Sequence, residues 1–209
     1  MSKTILVYGD SMSWGIIPNS RNRLPFSKRW TGVLQRELGE EYRINEACLN
    51  GRTTRYNDPN RPARNGLESL QMVMESHSPV DLLVVMLGIN DFQDVIGATA
   101  GESAEGLRKL IRHAQSLAPE PMSKPAEILV ILPPDIEQSM GAMAQKFSCF
   151  KRGLGAESAY LAQLEGLEVS VLRASEVIKL SRIDGIHIDE PEHGLLGRAV
   201  ASAVKDLFG

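Results

Sequence analysis

The sequence predicts an α/β fold in three layers, with a flavodoxin-like sheet of five parallel strands between two layers of helices. Three observations lead to this prediction. Short apolar runs alternate with longer amphipathic stretches, which is typical of right-handed βαβ crossovers. The runs at 82–87 and 128–132 are apolar throughout, as expected of strands covered on both faces. The 209 residues contain no repeat and no low-complexity linker, which indicates one domain over 1–209.

Five short apolar runs are the strand candidates. They lie at residues 5–8, 44–49, 82–87, 128–132 and 167–172. A common order for parallel sheets of this type is 2-1-3-4-5, in which the first strand lies between the second and the third. We therefore expect the carboxyl ends of these three strands to share one edge of the sheet.

The helix candidates lie between the apolar runs. Apolar residues recur at intervals of three or four in four stretches, at 30–38, 67–74, 107–117 and 195–207. Gly39 follows the first stretch as a C-terminal stop. Residues 139–166 are rich in Ala and Gln, which predicts a mostly helical segment. The loops at 16–28, 50–66 and 119–126 contain Pro, and the first two are long enough to carry function.

The charge balance gives no argument for a nucleic-acid partner. The 23 Lys and Arg against 26 Asp and Glu leave a net charge of −3. Residues 20–64 are locally basic, with ten Lys and Arg against five Asp and Glu, and a solvated face is the simpler interpretation. The alternative is nucleic-acid binding through four arginines of this segment, Arg52, Arg55, Arg61 and Arg64.

The cysteine content and the lengths of the apolar runs indicate the cellular compartment in which we expect the protein to act. Cys48 and Cys149 are too few and too far apart for a disulfide framework, so we expect two buried thiols in a reducing compartment. The N-terminal apolar run is too short for a signal peptide, and no run approaches a membrane span. We therefore expect a cytoplasmic protein without a membrane partner.

A serine follows the first strand candidate, at the edge where open α/β sheets place their active sites. The segment reads GDSMSWG over residues 9–15, and Ser11 is its first hydroxyl. If a helix begins there, its backbone N–H groups favour negative charge that develops beside the serine. A plain Ser-Gly turn after a buried strand gives the same pattern, so this segment alone does not decide.

Two amide donors are expected at the same edge. Gly51 follows the second strand candidate, and Asn90 follows the third. A glycine N–H is unshielded, and a neutral Asn amide donates without competing for a proton, so both suit an oxyanion. Each segment alone is equally typical of a turn.

An Asp and a His precede the C-terminal helix in the segment DGIH, as Asp184 and His187. Serine is a weak nucleophile at neutral pH and needs a base such as His, and a carboxylate can fix the tautomer of that His. A His–Asp pair by itself is more often structural than catalytic.

A metal site is the alternative for the same segment. Its potential ligands are Asp184, His187, Asp189, Glu190, Glu192 and His193. Their spacing matches no standard zinc set, so we expect no metal. The sequence also lacks the glycine-rich signatures of nucleotide binding, and we expect no cofactor.

The four segments together resemble the blocks of the SGNH, or GDSL-type, hydrolase family. Ser11 resembles the nucleophile of the first block. Gly51 resembles the glycine of the second block and Asn90 the asparagine of the third. Asp184 and His187 resemble the closing pair, and the blocks follow one another in family order.

Within this family the chain is most similar to small bacterial arylesterase and acyltransferase members. The segments RWTGVL at 29–34 and RTT at 52–54 contribute to this similarity. Met12 stands where the family most often has Leu, and this swap of apolar side chains is nearly isosteric.

The resemblance implies a two-step acyl transfer without a cofactor. Ser11 attacks the carbonyl of a small-molecule ester, with short-chain or aryl esters as substrates, while His187 removes the proton and Asp184 orients His187. The backbone N–H groups of Ser11 and Gly51 and the side chain of Asn90 hold the oxyanion. Acyl transfer to acceptors other than water and assembly into homo-oligomers are implied by the same members.

Six residues near the predicted site are candidates for the substrate pocket. They are Asp10, Met12, Trp14, Ile16, Phe92 and Ile186. For Trp14, Ile16 and Phe92, as for the neighbouring Ile17, core packing is the simpler interpretation.

Two other functions stay open on sequence grounds. A carbohydrate O-deacetylase of the same family would act on acetylated sugars in preference to aryl acetates. A non-catalytic binding module would show no turnover and no covalent labelling by a serine-directed phosphonate.

Overall fold

The sheet consists of five parallel strands in a computed structural model that describes residues 2–209. In chain order the strands are β1 Lys3–Gly9, β2 Tyr42–Cys48, β3 Leu82–Met86, β4 Glu127–Leu132 and β5 Ser170–Arg173. Their order across the sheet is β2-β1-β3-β4-β5, and all neighbours are parallel. The predicted fold class and strand order are confirmed.

The central strands are apolar because helices cover both faces of the sheet. Every residue of β3 is buried, and β4 is buried from Ile128 onward. The edge strand β5 pairs with β4 alone and alternates half-buried and exposed residues. It begins at Ser170 rather than at the predicted position 167. Leu167 instead closes a turn in which its N–H donates to the carbonyl of Leu164.

Helices connect the strands on both faces. They are α1 Ser11–Trp14, α2 Trp30–Leu38, α3 Gly66–His77, α4 Ala100–Gln115, α5 Gly141–Ala144, α6 Ala156–Leu164 and α7 Glu190–Phe208. Helix α2 packs against α7, whereas α3 and α6 pack against α4, which gives the two outer layers. No helix within residues 2–209 is long and apolar enough to cross a membrane.

Helix α4 illustrates how local sequence fixes a helix start. The Thr99 hydroxyl accepts from the N–H of Glu102, and the Glu102 carboxylate accepts from the N–H of Thr99. This reciprocal cap satisfies two N–H groups that the helix itself leaves unpaired. Leu107, Leu110 and Ile111 then face the core as the predicted stripe.

The segment predicted to be mostly helical, at 139–166, consists of three short helical pieces separated by irregular chain. Only α5, a short 3₁₀ turn at Phe150–Gly153 and α6 are helical there. Gly155 has φ +74° immediately before α6, which breaks a continuous helix. Phe147 is buried although its neighbours are exposed, so one aromatic side chain anchors an otherwise irregular segment.

The prediction of two buried thiols is also wrong. Cys149 is exposed and Cys48 is half-buried, and both are free. Cys149 lies in the irregular segment, outside the core. Cys48 ends the edge strand β2, where its thiol donates to the carbonyl of Val7.

The strands β1, β2 and β3 end side by side. Gly9 of β1 is in register with Cys48 of β2 and with Met86 of β3. Ser11, Gly51 and Asn90 follow these strand ends within a few residues and therefore emerge at one edge of the sheet.

Candidate active site

Ser11 is the first residue of the short helix α1, immediately beyond β1. The Asp10 carboxylate caps this helix by accepting from the N–H of Met12 at 3.0 Å. Gly15 ends it in a left-handed conformation, with φ +82°. This tight strand–turn–helix path leaves the Ser11 hydroxyl at the sheet edge, hydrogen-bonded to the ring of His187.

Asp184 and His187 lie on the loop before α7. Gly185 between them has φ +72°, and a Cβ at this position would come within 1.7 Å of the Gln138 carbonyl oxygen. The resulting turn brings three hydrogen-bonding groups of the same loop to the Asp184 carboxylate. The Asp184 carboxylate accepts from the backbone N–H groups of Ile186 and His187, both at 3.0 Å, and pairs with the His187 ring.

Ser11, His187 and Asp184 form a continuous hydrogen-bonded chain. Ser11 Oγ is 3.0 Å from His187 Nε2, and His187 Nδ1 is 2.6 Å from Asp184 Oδ2. Burial raises the pKa of Asp184, but the hydrogen bond and charge of His187 outweigh it and hold the pKa at about 2. The ionised carboxylate keeps the proton on Nδ1, which leaves Nε2 as the acceptor that faces the serine hydroxyl.

Gly51 presents an unshielded N–H beside Ser11. Its φ is +81°, and a Cβ at Gly51 would come within 2.4 Å of Nη1 of Arg61, so the guanidinium rests against the glycine backbone. Among the residues that the structure describes, the N–H groups of Ser11 and Gly51 find no acceptor within the protein. Both are therefore free to donate to a ligand.

Asn90 is fixed by three hydrogen bonds of its side chain. Nδ2 donates to Asp10 Oδ2 at 3.0 Å and to the Arg52 carbonyl at 3.1 Å. Oδ1 accepts from Gln93 Nε2 at 2.7 Å. The amide is therefore held rigidly, and both Nδ2 hydrogens have acceptors when the site is empty. Burial raises the pKa of Asp10 to about 6.

Asp91 ties the loop that carries Gly51 to the end of β3. Its carboxylate accepts from the Thr54 N–H at 2.8 Å and from the hydroxyls of Thr54 and Ser103, both at 2.6 Å. Burial raises the pKa of Asp91 to about 6 against these bonds. The sequence does not single out Asp91, because its partners lie 37 and 12 positions away and no local pattern connects them.

The Asp91→Ala variant is expected to lose about 2–3 kcal/mol of unfolding free energy, because three buried donors lose their acceptor. Urea unfolding at pH 7.5 measures the loss. Asp206→Ala on the exposed face of α7 is the matched control and should stay within about 0.5 kcal/mol of the wild type. A loss as small as that of the control would contradict this structural role.

One cavity of about 360 Å³ brings together all the predicted catalytic and oxyanion residues: Ser11, Gly51, Asn90, Asp184 and His187. Of the six predicted pocket residues, Ile16 and Ile186 line this cavity. Asp10, Met12 and Phe92 are buried away from it, and Trp14 is half-buried under the guanidinium of Arg23. Met12 and Phe92 are therefore core residues.

Most of the remaining cavity wall comes from residues that the sequence did not single out. Asn50 and Arg61 belong to the loop after β2, and Gln93 lies three residues after Asn90, whereas the others come from the loop after α1 and from the irregular segment after β4. They include Asn19, Arg21, Ala142, Met143, Lys146 and Phe147. No periodicity marks these loops, so only the fold brings them to the site.

A larger cavity of about 700 Å³ lies on the other side of Gly185. Its wall includes Asp135, Glu137 and Glu157 but, over residues 2–209, neither a histidine nor any of the predicted catalytic residues. The smaller cavity is therefore the candidate active site.

The four arginines of the nucleic-acid alternative are all bonded to groups of the protein itself. Arg52 is buried and donates to the carbonyls of Gly9 and Ala47. The other three are bonded as well: Arg55 to Glu105, Arg61 to Asp58, and Arg64 to the carbonyls of Asn50 and Pro62.

The metal alternative likewise finds no ligand cluster. Across the described part of the chain, no three His, Cys, Asp or Glu side chains converge. His193 is buried in α2–α7 packing, where its Nδ1 accepts from the N–H of Trp30. Burial lowers its pKa to about 4.

Comparisons with known proteins agree with this geometry. Residues 7–157 match the GDSL-like Lipase/Acylhydrolase family. The chain is similar to Est24, a carbohydrate acetylesterase from Sinorhizobium meliloti, with 32% identity, a TM-score of 0.93, and coverage of 99% of this chain and 100% of that one. It is also similar to the M. smegmatis aryl esterase, with 31% identity, a TM-score of 0.92, and coverage of 99% and 100%. No curated protein matches the sequence significantly.

The family match spans the segments of Ser11, Gly51 and Asn90, and the two solved structures extend the likeness over nearly the whole chain. The chain therefore belongs to the GDSL-like lipase/acylhydrolase family and is a carboxylic ester hydrolase.

Proposed function

We propose that Ser11, His187 and Asp184 are the catalytic triad of a two-step acyl transfer, within one domain that spans 1–209. The observation that carries the proposal is the 3.0 Å hydrogen bond between Ser11 Oγ and His187 Nε2, which joins residues 176 positions apart in sequence. The 2.6 Å bond between His187 Nδ1 and Asp184 Oδ2 continues this chain. Ser11 Oγ attacks the ester carbonyl as its proton moves to His187 Nε2, and His187 then protonates the leaving alcohol. Water, deprotonated by Nε2, opens the acyl-serine ester, and the proton returns to Ser11.

The oxyanion of each tetrahedral intermediate is stabilised by three donors in this proposal. The N–H groups of Ser11 and Gly51 are free to donate. The Nδ2 hydrogen of Asn90 that donates to the Arg52 carbonyl is shared with the oxyanion when substrate is bound, because a hydrogen bond to a charged oxygen is stronger than one to a neutral carbonyl.

Asn90→Ala is expected to lower kcat for p-nitrophenyl acetate about 10²- to 10³-fold with a smaller change in KM, because an oxyanion donor acts mainly in the transition state. Steady-state kinetics checks this. Because Asn90 also donates to Asp10, thermal unfolding of each variant must show that it is folded. The Asn90→Asp variant is the isosteric comparison. A kcat within about threefold of the wild type in a folded Asn90→Ala variant would remove Asn90 from the oxyanion hole.

We propose short-chain and aryl esters as substrates. A cavity of about 360 Å³ is small for a ligand site, and Ile16, Met143, Phe147 and Ile186 give it apolar wall. The M. smegmatis relative is an aryl esterase. The test is a series of p-nitrophenyl esters from acetate to octanoate, with Ser11→Ala as background. The highest kcat/KM at acetate or butyrate supports the proposal, and an optimum at octanoate contradicts it.

Carbohydrate deacetylation is the second candidate. Est24 and a further S. meliloti relative, 31% identical with a TM-score of 0.91, are described as a carbohydrate acetylesterase and a member of that family. Release of acetate from glucose pentaacetate and from phenyl acetate, each corrected with Ser11→Ala, distinguishes the two. A higher kcat/KM on the acetylated sugar favours this candidate.

We propose that the acyl-enzyme also transfers its acyl group to alcohols. The apolar wall lowers local water activity, which favours an alcohol over water at the acyl-Ser11 ester. The ratio of ester to acid formed from p-nitrophenyl acetate in dilute ethanol measures this. A ratio no higher than the molar ratio of ethanol to water contradicts it.

We also propose that the chain assembles into homo-oligomers and acts in the cytoplasm. Ile17 and Ile183 are exposed apolar residues beside the cavity wall, and a second copy would cover them. Light scattering at a mass above the 23.0 kDa of one chain supports assembly, and a monomer contradicts it. The free thiols Cys48 and Cys149 suit a reducing compartment, which cell fractionation tests.

A further inference from the structure

Three basic side chains line the cavity that holds Ser11. They are Arg21, Arg61 and Lys146, and they come from three different loops. The one acidic residue of the same wall, within residues 2–209, is Asp184, which is buried and bonded to His187. Apart from Asp184, the charged side chains of this cavity wall are therefore all basic.

Arg61 brings its charge next to the expected oxyanion donor. Its guanidinium rests against the backbone of Gly51, and Nη2 donates to Gln93 at 3.2 Å. Its Nε pairs with Asp58 at 2.7 Å, which orients the guanidinium fork and leaves Nη1 toward Gly51. A ligand oxygen beside the scissile carbonyl would thus meet an oriented cation.

Lys146 and Arg21 carry charges that no acid neutralises. In the part of the chain that the structure describes, neither has a carboxylate within 4 Å, and neither side chain makes a hydrogen bond to the protein. Burial lowers the pKa of Lys146, and the nearby charges of Arg61 and Arg21 lower it further, whereas Asp58 alone raises it. Both arginines therefore repel Lys146, and an anion beside Lys146 would relieve this repulsion.

The basic wall continues into a neighbouring cavity of about 380 Å³. The two cavities share Arg61, Gln93, Gln145 and Lys146. Two acids, Asp58 and Asp94, also line the neighbouring cavity, but both are already paired, with Arg61 and with Arg152 respectively. A substrate group that extends from the first cavity into the second would therefore pass Lys146, whose charge has no acidic partner within residues 2–209.

We infer that the ester hydrolysed here carries an anionic group, a carboxylate in the first instance, which is held between Arg61 and Lys146 while the scissile carbonyl lies at Ser11. A carboxylate can accept from Nη1 of Arg61, the nitrogen that Asp58 and Gln93 leave without a partner within residues 2–209. It also supplies the negative counter-charge that Lys146 and Arg21 lack. This inference rests on the proposed function and narrows its substrate class to esters of dicarboxylic acids or acyl esters of hydroxy acids.

Two pairs of substrates place the charge on either side of the ester. p-Nitrophenyl hemisuccinate against p-nitrophenyl pentanoate tests the acyl side. 4-Acetoxybenzoate against its methyl ester tests the alcohol side. Each pair gives an anionic-to-neutral ratio of kcat/KM, and comparing that ratio between variants cancels the intrinsic reactivity of the esters.

The double variant Lys146→Gln with Arg21→Gln is expected to lower this ratio about tenfold at low salt for at least one pair. Sodium chloride at high concentration should lower the ratio of the wild type in the same direction, because salt screens exposed charges. The control is the double variant Lys124→Gln with Arg36→Gln. Both side chains are exposed and lie near the amino ends of β4 and β2, away from the cavity, so this variant should keep the wild-type ratio.

An unchanged ratio for both pairs in the Lys146 and Arg21 double variant overturns the inference, whereas Ser11-dependent hydrolysis of the neutral esters keeps the proposed function intact. No Ser11-dependent turnover of any of the four esters overturns the proposed function and this inference with it. Selectivity for one pair alone supports the inference and identifies the side of the ester that carries the charge.

Discussion

Ser11→Ala is expected to lower kcat/KM for p-nitrophenyl acetate at least about 10⁴-fold, because no other group can form the acyl intermediate. Ser11 Oγ alone lies in hydrogen-bonding distance of His187 Nε2 among the described hydroxyls. Thermal unfolding should change little, since the hydroxyl lies at the wall of an open cavity. Stopped-flow release of p-nitrophenolate measures both the burst and the steady rate.

Ser13→Ala is the matched control for this variant. Ser13 lies in the same short helix, is fully buried, and its hydroxyl has no partner within residues 2–209. Its removal should leave kcat/KM within about threefold of the wild type, because a buried hydroxyl without a partner contributes little. Retention of more than a few per cent of activity in Ser11→Ala, with Ser13→Ala unchanged, would falsify the assignment of the nucleophile.

Asp184→Asn is expected to lower kcat about 10³- to 10⁴-fold, because an amide cannot fix the His187 tautomer as a carboxylate does. In this variant the amide NH₂ can donate to His187 Nδ1 in place of the present 2.6 Å bond to the carboxylate. The ring proton then lies on Nε2, which can no longer accept the Ser11 proton. KM should change less than kcat. Equal losses in Asp184→Asn and in a distant surface carboxylate variant such as Asp206→Asn would contradict this role.

The stability of the same variant gives a second readout with a definite sign. The pKa of Asp184 is held at about 2, below its ordinary value of 3.8. The carboxylate therefore stabilises the folded state fully above about pH 5, and this stabilisation is lost as the pH falls toward 2. The difference in unfolding free energy between wild type and Asp184→Asn should accordingly narrow from pH 6 to pH 3. A constant difference over this range would show that the ionised carboxylate contributes nothing.

The positions of the candidate catalytic residues could be predicted because parallel strands confine them. Ser11, Gly51 and Asn90 each follow a strand end, and adjacent parallel strands bring their carboxyl ends to one edge. Asp184 and His187 were identifiable from their spacing around Gly185, which the positive φ of this glycine explains. These signals are local in sequence, so they can be recognised without knowing the conformations of the loops.

The cavity wall could not be predicted because it depends on loop conformation. Lys146 and Phe147 lie in a segment whose composition predicts helix but whose glycines break it. Phe92 lies only two residues after Asn90, yet the 3₁₀ turn at Ile89–Phe92 buries its ring, while Gln93 reaches the cavity. Sequence proximity to a site residue therefore does not determine which side chains face the substrate.

The most direct test of the central claim is covalent labelling of the wild-type protein with a serine-directed aryl phosphonate, followed by intact mass and peptide mapping. The account predicts one adduct per chain on Ser11, loss of esterase activity in proportion to labelling, and slower labelling of a folded His187→Ala variant. An unlabelled protein that still hydrolyses p-nitrophenyl acetate, or an adduct on another residue, would contradict it.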